Sequence, residues 1–168
     1  IENSSILAIK AIQDCRIGGS FLEKSTRYIY FDRKIDGKYP FYEDPIIMTS
    51  AFRDRYLKTC NFLFDTYKKV TPILTEKIKE QFPMQHNISK AAYNAALRAK
   101  VLDCLRGLLP LSTLTNCGVF GNGRFFENLI KKLECSHLTE LQDIGNSSFD
   151  ELSKVMISFI KRADVNNK

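Results

Sequence analysis

Apolar residues recur at three- and four-residue spacing through much of the 168-residue chain, the period of amphipathic helices. Ile6, Ile9 and Ile12 mark the first helix, with Ser4 or Ser5 as its cap and Gly18-Gly19 ending it near Arg16. The strongest signal is Phe52, Tyr56, Cys60, Leu63, Tyr67, Val70, Leu74 and Ile78. It predicts a long helix capped by Thr49 or Ser50 and closed by Pro83. Pro72 lies inside it and predicts a kink or short break, because proline has no backbone donor. Ser89 caps a further helix that runs through an alanine-rich segment to about Leu108, where Pro110 stops it. Another starts near Asn122, carries Phe125, Phe126, Leu129, Ile130 and Leu133, and ends between Leu133 and Ser136. The last is predicted from Ser148, whose partner Glu151 completes a capping box, through Leu152, Val155, Met156, Phe159 and Ile160.

One stretch departs from the helical period. Phe21 to Asp32 is rich in aromatic and β-branched residues and predicts a strand with an extended lead-in. Arg33 to Pro45 reads as loop, with Asp36-Gly37 as a turn signal, and Leu111 to Gly121 as a short linker. One short strand region followed by a run of helices gives an α+β fold, predominantly helical. The length suits a single domain over 1–168, with a helical subdomain of about 48–108. The chain opens at Ile1 rather than Met, which leads us to expect a piece of a longer polypeptide.

Hydrophobic residues make up 44% and charged residues 26%, which excludes intrinsic disorder and low-complexity scaffolds. No apolar run approaches the roughly 18 residues of a membrane-spanning helix, so no membrane partner is expected. Lys and Arg number 25 against 19 Asp and Glu, a net +6 that favours anionic partners. The excess is scattered, as on an ordinary solvated surface. Nucleic acid is not the expected partner, since it calls for cations clustered with exposed aromatics on one face. The five cysteines are odd in number, widely spaced and without a C-x-x-C, so we expect reduced thiols and a cytoplasmic location. His86 and His137 lack ligand spacing, so no metal site is expected and no Ser-His-Asp arrangement can be drawn.

Two stretches carry candidate chemistry. Glu23, Ser25 and Arg27 stand at period two, so an extended chain puts a carboxylate, a hydroxyl and a guanidinium on one face. Such a face suits a polar, anionic ligand. The alternative is a surface Glu–Arg pair worth about 0–1 kcal/mol. Gly118 to Arg124 reads G-V-F-G-N-G-R and runs into a helix. Free backbone N–H groups and the helix dipole favour an anion there, and a pyrophosphate fits the description. An ordinary turn is the alternative. Arg106 has its own bland account, because a cation near a helix C-terminus contributes about 0.3–1 kcal/mol.

Together these segments resemble the flavin-dependent thymidylate synthases. Cys15 to Ser25 reads C-R-I-x7-S against the family's R-H-R-x7-S, with Glu23 at the family's acidic position. It continues as Ser25-Thr26-Arg27-Tyr28 against S-x-R-Y. Leu105 to Pro110 reads L-R-G-L-L-P against A-R-x-x-L-P, and Asn122-Gly123-Arg124, followed by Asn128, matches N-x-R at a helix start. The resemblance covers roughly Ile6 to Tyr28 and Leu97 to Cys135.

The resemblance implies reductive methylation of dUMP to dTMP, with FAD, NADPH and methylenetetrahydrofolate supplying hydride and carbon. No enzyme cysteine attacks the uracil, so no catalytic side chain is assigned. Glu23, Ser25, Arg27 and Arg106 are then implied to line the site of a dUMP-like nucleotide. Arg16, Glu23, Asn122, Arg124 and Asn128 are implied to hold FAD. The family builds its sites across subunit interfaces, which implies a homo-oligomer or pairing with a homologous domain.

The chain also departs from the family. Its R-H-R is replaced by Cys15-Arg16-Ile17, and the position of a further, uracil-facing Arg falls on Leu133. The family's N-terminal strands have no counterpart before Ile1. Charge-assisted hydrogen bonds are worth about 1.5–3 kcal/mol each, so the losses bear on FAD retention and on turnover. Two readings follow: a divergent enzyme, or a catalytically degenerate domain acting as the structural or pairing half of a larger enzyme.

Overall fold

Short polar side chains set the helix starts, and their bonds are visible. Ser5 Oγ accepts from the Ala8 N–H at 3.0 Å, Ser89 Oγ from Ala92 at 3.2 Å, and Asn122 Oδ1 from Phe125 at 2.9 Å. The structure, a computed structural model, describes residues 1–163. In chain order it contains β1 (Ser4–Ser5), α1 (Ile6–Gln13), β2 (Gly19–Glu23), α2 (Pro45–Met48), α3 (Arg53–Gln81) and α4 (Lys90–Leu105). Then follow β3 (Leu114–Thr115), β4 (Cys117–Gly121), α5 (Gly123–Glu134) and α6 (Thr139–Ile160). Single 3-10 turns lie at Arg106–Leu108 and Lys161–Ala163. The fold is α+β and dominated by helices, as expected. No described helix is long and apolar enough to cross a membrane.

The chain divides into two compact units. The first holds Ile1–Lys24, Tyr42–Met48 and the chain from Leu114 onward. In it β1 pairs antiparallel with β3, and β2 with β4 in a register that sets Gly19 opposite Gly121 and Glu23 opposite Cys117. Ile9 and Ile12 of α1 bury against Phe125, Leu129 and Leu133 of α5 and Leu141 of α6. The ring of Phe125 lies against the Gly19–Gly121 pair. A Cβ added at Gly121 would stand 2.2 Å from the ring, and one at Gly19 2.3 Å. The Glu140 carboxylate of α6 accepts from both the N–H and the hydroxyl of Ser5, each at 2.6 Å.

The second unit holds Ser25–Phe41 and Thr49–Thr113. Phe64, Tyr67 and Ile78 of α3 bury with Leu97, Val101, Leu102 and Leu105 of α4, under Phe31, Tyr39 and Phe41. Tyr39 stacks on Phe64 with centroids 4.9 Å apart and gives its hydroxyl to Asp65 at 2.7 Å. The Asp36-Gly37 turn forms as expected, with positive φ at both residues (49° and 80°), the two-residue turn that aspartate and glycine tolerate. Burial, aided by Asp65, pushes the Tyr39 hydroxyl up to about 12, and burial does the same for Tyr67. The folded state thus binds these protons more tightly than the unfolded chain, whose tyrosines titrate near 10. The stabilisation is complete below pH about 10 and lost as pH rises toward about 12. Urea midpoints measured from pH about 9 upward are expected to fall through that window; a flat profile would contradict the burial of these hydroxyls.

Several expectations need correction. The strand predicted over Phe21 to Asp32 is β2, Gly19–Glu23, and it stops where its partner β4 begins at Cys117. Lys24 adds one bond to the Asn116 carbonyl, and the chain then turns, the Tyr28 N–H meeting the Ser25 carbonyl at 3.2 Å. The expected linker from Leu111 to Gly121 contains β3 and β4. Helix α3 runs through Pro72 as one element, starting after Phe52 without a side-chain cap. Beside the proline, the hydroxyls of Thr71 and Thr75 bond the carbonyls of Tyr67 and Thr71, each at 2.7 Å. Helix α6 begins at Thr139, so Ser148 lies inside it and caps nothing. Its backbone leaves helical geometry at Met156 (φ −145°, ψ 35°), and Val155 and Phe159, read as core, are exposed.

Candidate functional site

The start of α5 is built by glycines. Gly18, at φ +83°, turns the chain out of α1 and into β2, and its carbonyl accepts from the Asn122 N–H at 3.4 Å. A Cβ at Gly18 would stand 3.1 Å from Asn122 Nδ2. Gly19 bonds back to the Arg16 carbonyl at 3.4 Å. The loop that bears Arg16 and the helix start that bears Asn122 therefore meet. Gly123 allows Phe159 of α6 to come close, since a Cβ there would fall 2.7 Å from that side chain.

A cavity of about 490 Å³ opens at this point, lined by Asn122, Gly123, Arg124, Glu127, Ser158, Phe159, Lys161 and Arg162. It collects three cations from two separate elements. Its one acid, Glu127, hydrogen-bonds Lys131 at 2.7 Å. That bond, with the charges of Arg124 and Arg162, holds the Glu127 carboxyl below the usual carboxylate range. Among the described residues, the side chains of Arg124, Lys161 and Arg162 make no hydrogen bond or close ion pair. Another cavity of this unit, about 580 Å³, has the opposite sign, with Glu2, Glu140, Asp143 and Glu151 on its walls. Burial and the charges of Glu140, Asp44 and Asp143 push Tyr42, also on its wall, up to about 12. In the second unit a cavity of about 810 Å³ is mainly apolar, lined by Phe82, Met84, Ile88 and Tyr93. Of these three cavities, the recess at the start of α5 gathers the most cations and is the best electrostatic match for a phosphate.

The residues singled out in the sequence are dispersed. Asn122 and Arg124 line the recess, and Asn128 follows exposed, one turn along α5. Arg16 is exposed, and Ile17 beside it is 93% exposed. Glu23 sits at the end of the ribbon away from Asn122, roughly four residues or about 13 Å along the strand. Its carboxylate is tied to α1, accepting from Gln13 Nε2 at 2.8 Å and Lys10 Nζ at 3.2 Å. Ser25 and Arg27 belong to the second unit and share a turn, in which Ser25 Oγ accepts from the Arg27 N–H at 3.3 Å. The period-two row of Glu23, Ser25 and Arg27 is thus not formed, because the strand ends at its first member. Arg27 lies over the Tyr28 ring at 5.7 Å. Arg106, also of the second unit, pairs with Asp103 at 3.4 Å. Leu133, the position to which the resemblance assigned a uracil-facing arginine, is 1% exposed in the core. Lys161, Arg162 and Ser158 went unnoticed in the sequence. A lone Lys-Arg pair after a helix carries no signal until folding brings it to the start of α5.

Fold and recess together define a mainly helical α+β chain with a cationic hollow where an N-x-R helix begins. The thymidylate synthase complementing protein family matches residues 1–156, and the chain belongs to it. This is the flavin-dependent thymidylate synthase family. The chain is 56% identical over 164 residues to a UPF0159 protein of Chlamydia pneumoniae, covering 98% of this chain and 31% of that protein. A UPF0159 protein of Chlamydia muridarum is 52% identical over 164 residues, with 98% and 31% covered. One from Thermoplasma acidophilum is 36% identical over 173 residues, with 90% and 35% covered. The chain spans about a third of the length of these curated relatives.

Proposed function

We propose that the chain is a flavin-binding domain of a thymidylate synthase of this family, acting in the reductive methylation of dUMP to dTMP. The observation that carries this reading is the cationic recess at Asn122–Arg124, at the position of the family's N-x-R. Asn122 and Arg124 would hold FAD from the helix start, with Asn128 and Arg16 nearby. FAD, when bound and reduced by NADPH, supplies hydride, and methylenetetrahydrofolate supplies the carbon. The protein's own work is binding and electrostatics: Arg124 neutralises phosphate charge, while Asn122, its side chain committed to the Phe125 N–H, fixes the helix start. In the second unit the exposed Arg27 and Arg106, with Ser25, offer cations and a hydroxyl to a dUMP-type nucleotide. Glu23, held by Lys10 and Gln13, remains the candidate carboxylate of the first unit. A single domain with a helical subdomain near 48–108, association with a like or homologous domain, and a cytoplasmic location belong to the same proposal.

A second reading is supported by two positions. Ile17 and Leu133 carry no charge where the family carries arginine, and Leu133 is a core residue. On that reading the domain binds cofactor or partner and leaves the uracil-facing cation to another part of the enzyme. Flavin absorbance after gel filtration, and dTMP formation from dUMP, methylenetetrahydrofolate and NADPH, separate the two. The full-length protein is expected to retain FAD, and Arg124→Ala to weaken retention about tenfold or more, the value of one charge-assisted bond. FAD retained without dTMP formation selects the pairing domain. No FAD retention at all sinks both flavin readings.

A further inference from the structure

The family match ends at residue 156, yet two of the three cations around the recess lie beyond it, in the turn Lys161–Ala163. We propose that Arg124, Lys161 and Arg162 form a clamp for a diphosphate group, with the chain after α6 supplying two of its three charges. The inference rests on the flavin reading for the identity of the ligand, but the clamp itself is a statement about charge and space.

Three features support it. The cations come from different elements and surround one hollow, so their mutual repulsion is relieved when an anion enters. Three charges also exceed what a single phosphate needs and suit a group of two phosphates. Among the described residues no carboxylate forms a close ion pair with them: Glu127, the one acid on the wall, feels the charges of Arg124 and Arg162 but is bonded to Lys131 at 2.7 Å. Finally, donors besides the cations face the same space. Asn122 Oδ1 takes the Phe125 amide, and no acceptor among the described residues takes those of Gly123 and Arg124, which open α5. Ser158, near the end of α6, also lines the recess. Phe159, packed on Gly123, fixes the distance between the two elements.

Calorimetry on the full-length protein with inorganic pyrophosphate, inorganic phosphate and FAD tests this. Pyrophosphate is expected to bind more tightly than phosphate, with affinity falling as salt is raised. Lys161→Gln/Arg162→Gln is expected to weaken pyrophosphate and FAD by about tenfold or more, while Lys161→Arg/Arg162→Lys retains most of the affinity. Both residues are exposed, and circular dichroism is expected to be unchanged. If wild type and the glutamine variant bind FAD and pyrophosphate equally well, the clamp is wrong and the flavin reading survives. If pyrophosphate binds and the variant weakens it while FAD does not bind, the clamp stands and the flavin reading falls. If the wild type binds neither, the clamp is wrong.

Discussion

Phe125→Ala is expected to lower the unfolding free energy by about 3–5 kcal/mol, the cost of emptying a core site of this size. The ring is 2% exposed and packs edge-on to Phe21 with centroids 6.0 Å apart. It also fills the space above the paired glycines of β2 and β4, which is why no side chain is tolerated there. Gly121→Ala alone brings its Cβ 2.2 Å from Phe125 Cδ1, so the ring must shift within a packed core. Overpacking of that kind costs about 1–3 kcal/mol, sometimes more. In the double variant Phe125→Ala/Gly121→Ala the new methyl enters space the ring has vacated. Its destabilisation is therefore expected to fall short of the sum of the two single changes by about 0.5–3 kcal/mol. Urea unfolding of the four proteins measures the cycle. A strictly additive result would mean that ring and glycine do not compete for one volume. Because Phe125 also receives the Asn122 cap, the same wedge holds the start of α5, and with it Arg124, in place.

The glycines explain much of what could and could not be read in the sequence. Helix starts were legible wherever one short side chain does the capping, as at Ser5, Ser89 and Asn122, because a cap is a local event. The Asp36-Gly37 turn was legible for the same reason. Strand β4 was not, because Gly118 and Gly121 give it poor intrinsic strand character. It exists because β2 pairs with it and Phe125 demands bare backbone. The start of α6 was hidden because Ser148 and Glu151 have the spacing of a capping box, although both lie inside the helix. Gly145 is there for packing, since its Cβ would lie 3.1 Å from that of Leu133. The candidate site divides along the same line. Asn122 and Arg124 carry a local pattern, whereas Lys161 and Arg162 join them only through the packing of α6 on α5.

The largest contrast is expected between two substitutions that each restore a family arginine. Leu133→Arg should cost about 4 kcal/mol or more, enough to unfold a marginal domain. Leu133 is buried among the apolar side chains of Ile9, Ile12, Leu129 and Leu141, so a guanidinium there must be desolvated inside a hydrophobic cluster. Ile17→Arg, by contrast, should change stability by no more than about 0.5 kcal/mol, because its side chain already stands in solvent. It precedes Gly18, whose carbonyl takes the Asn122 N–H, so the substitution adds a positive charge to the loop that meets the start of α5, and on the flavin reading it should strengthen flavin binding. Thermal unfolding and flavin titration of the two variants decide the matter. Were Leu133→Arg as stable as the wild type, position 133 could return to a charged role and the divergent enzyme would regain its missing cation. Its collapse would mean that the core has absorbed that position, and that any cation on the uracil must reach it from elsewhere in the full-length enzyme.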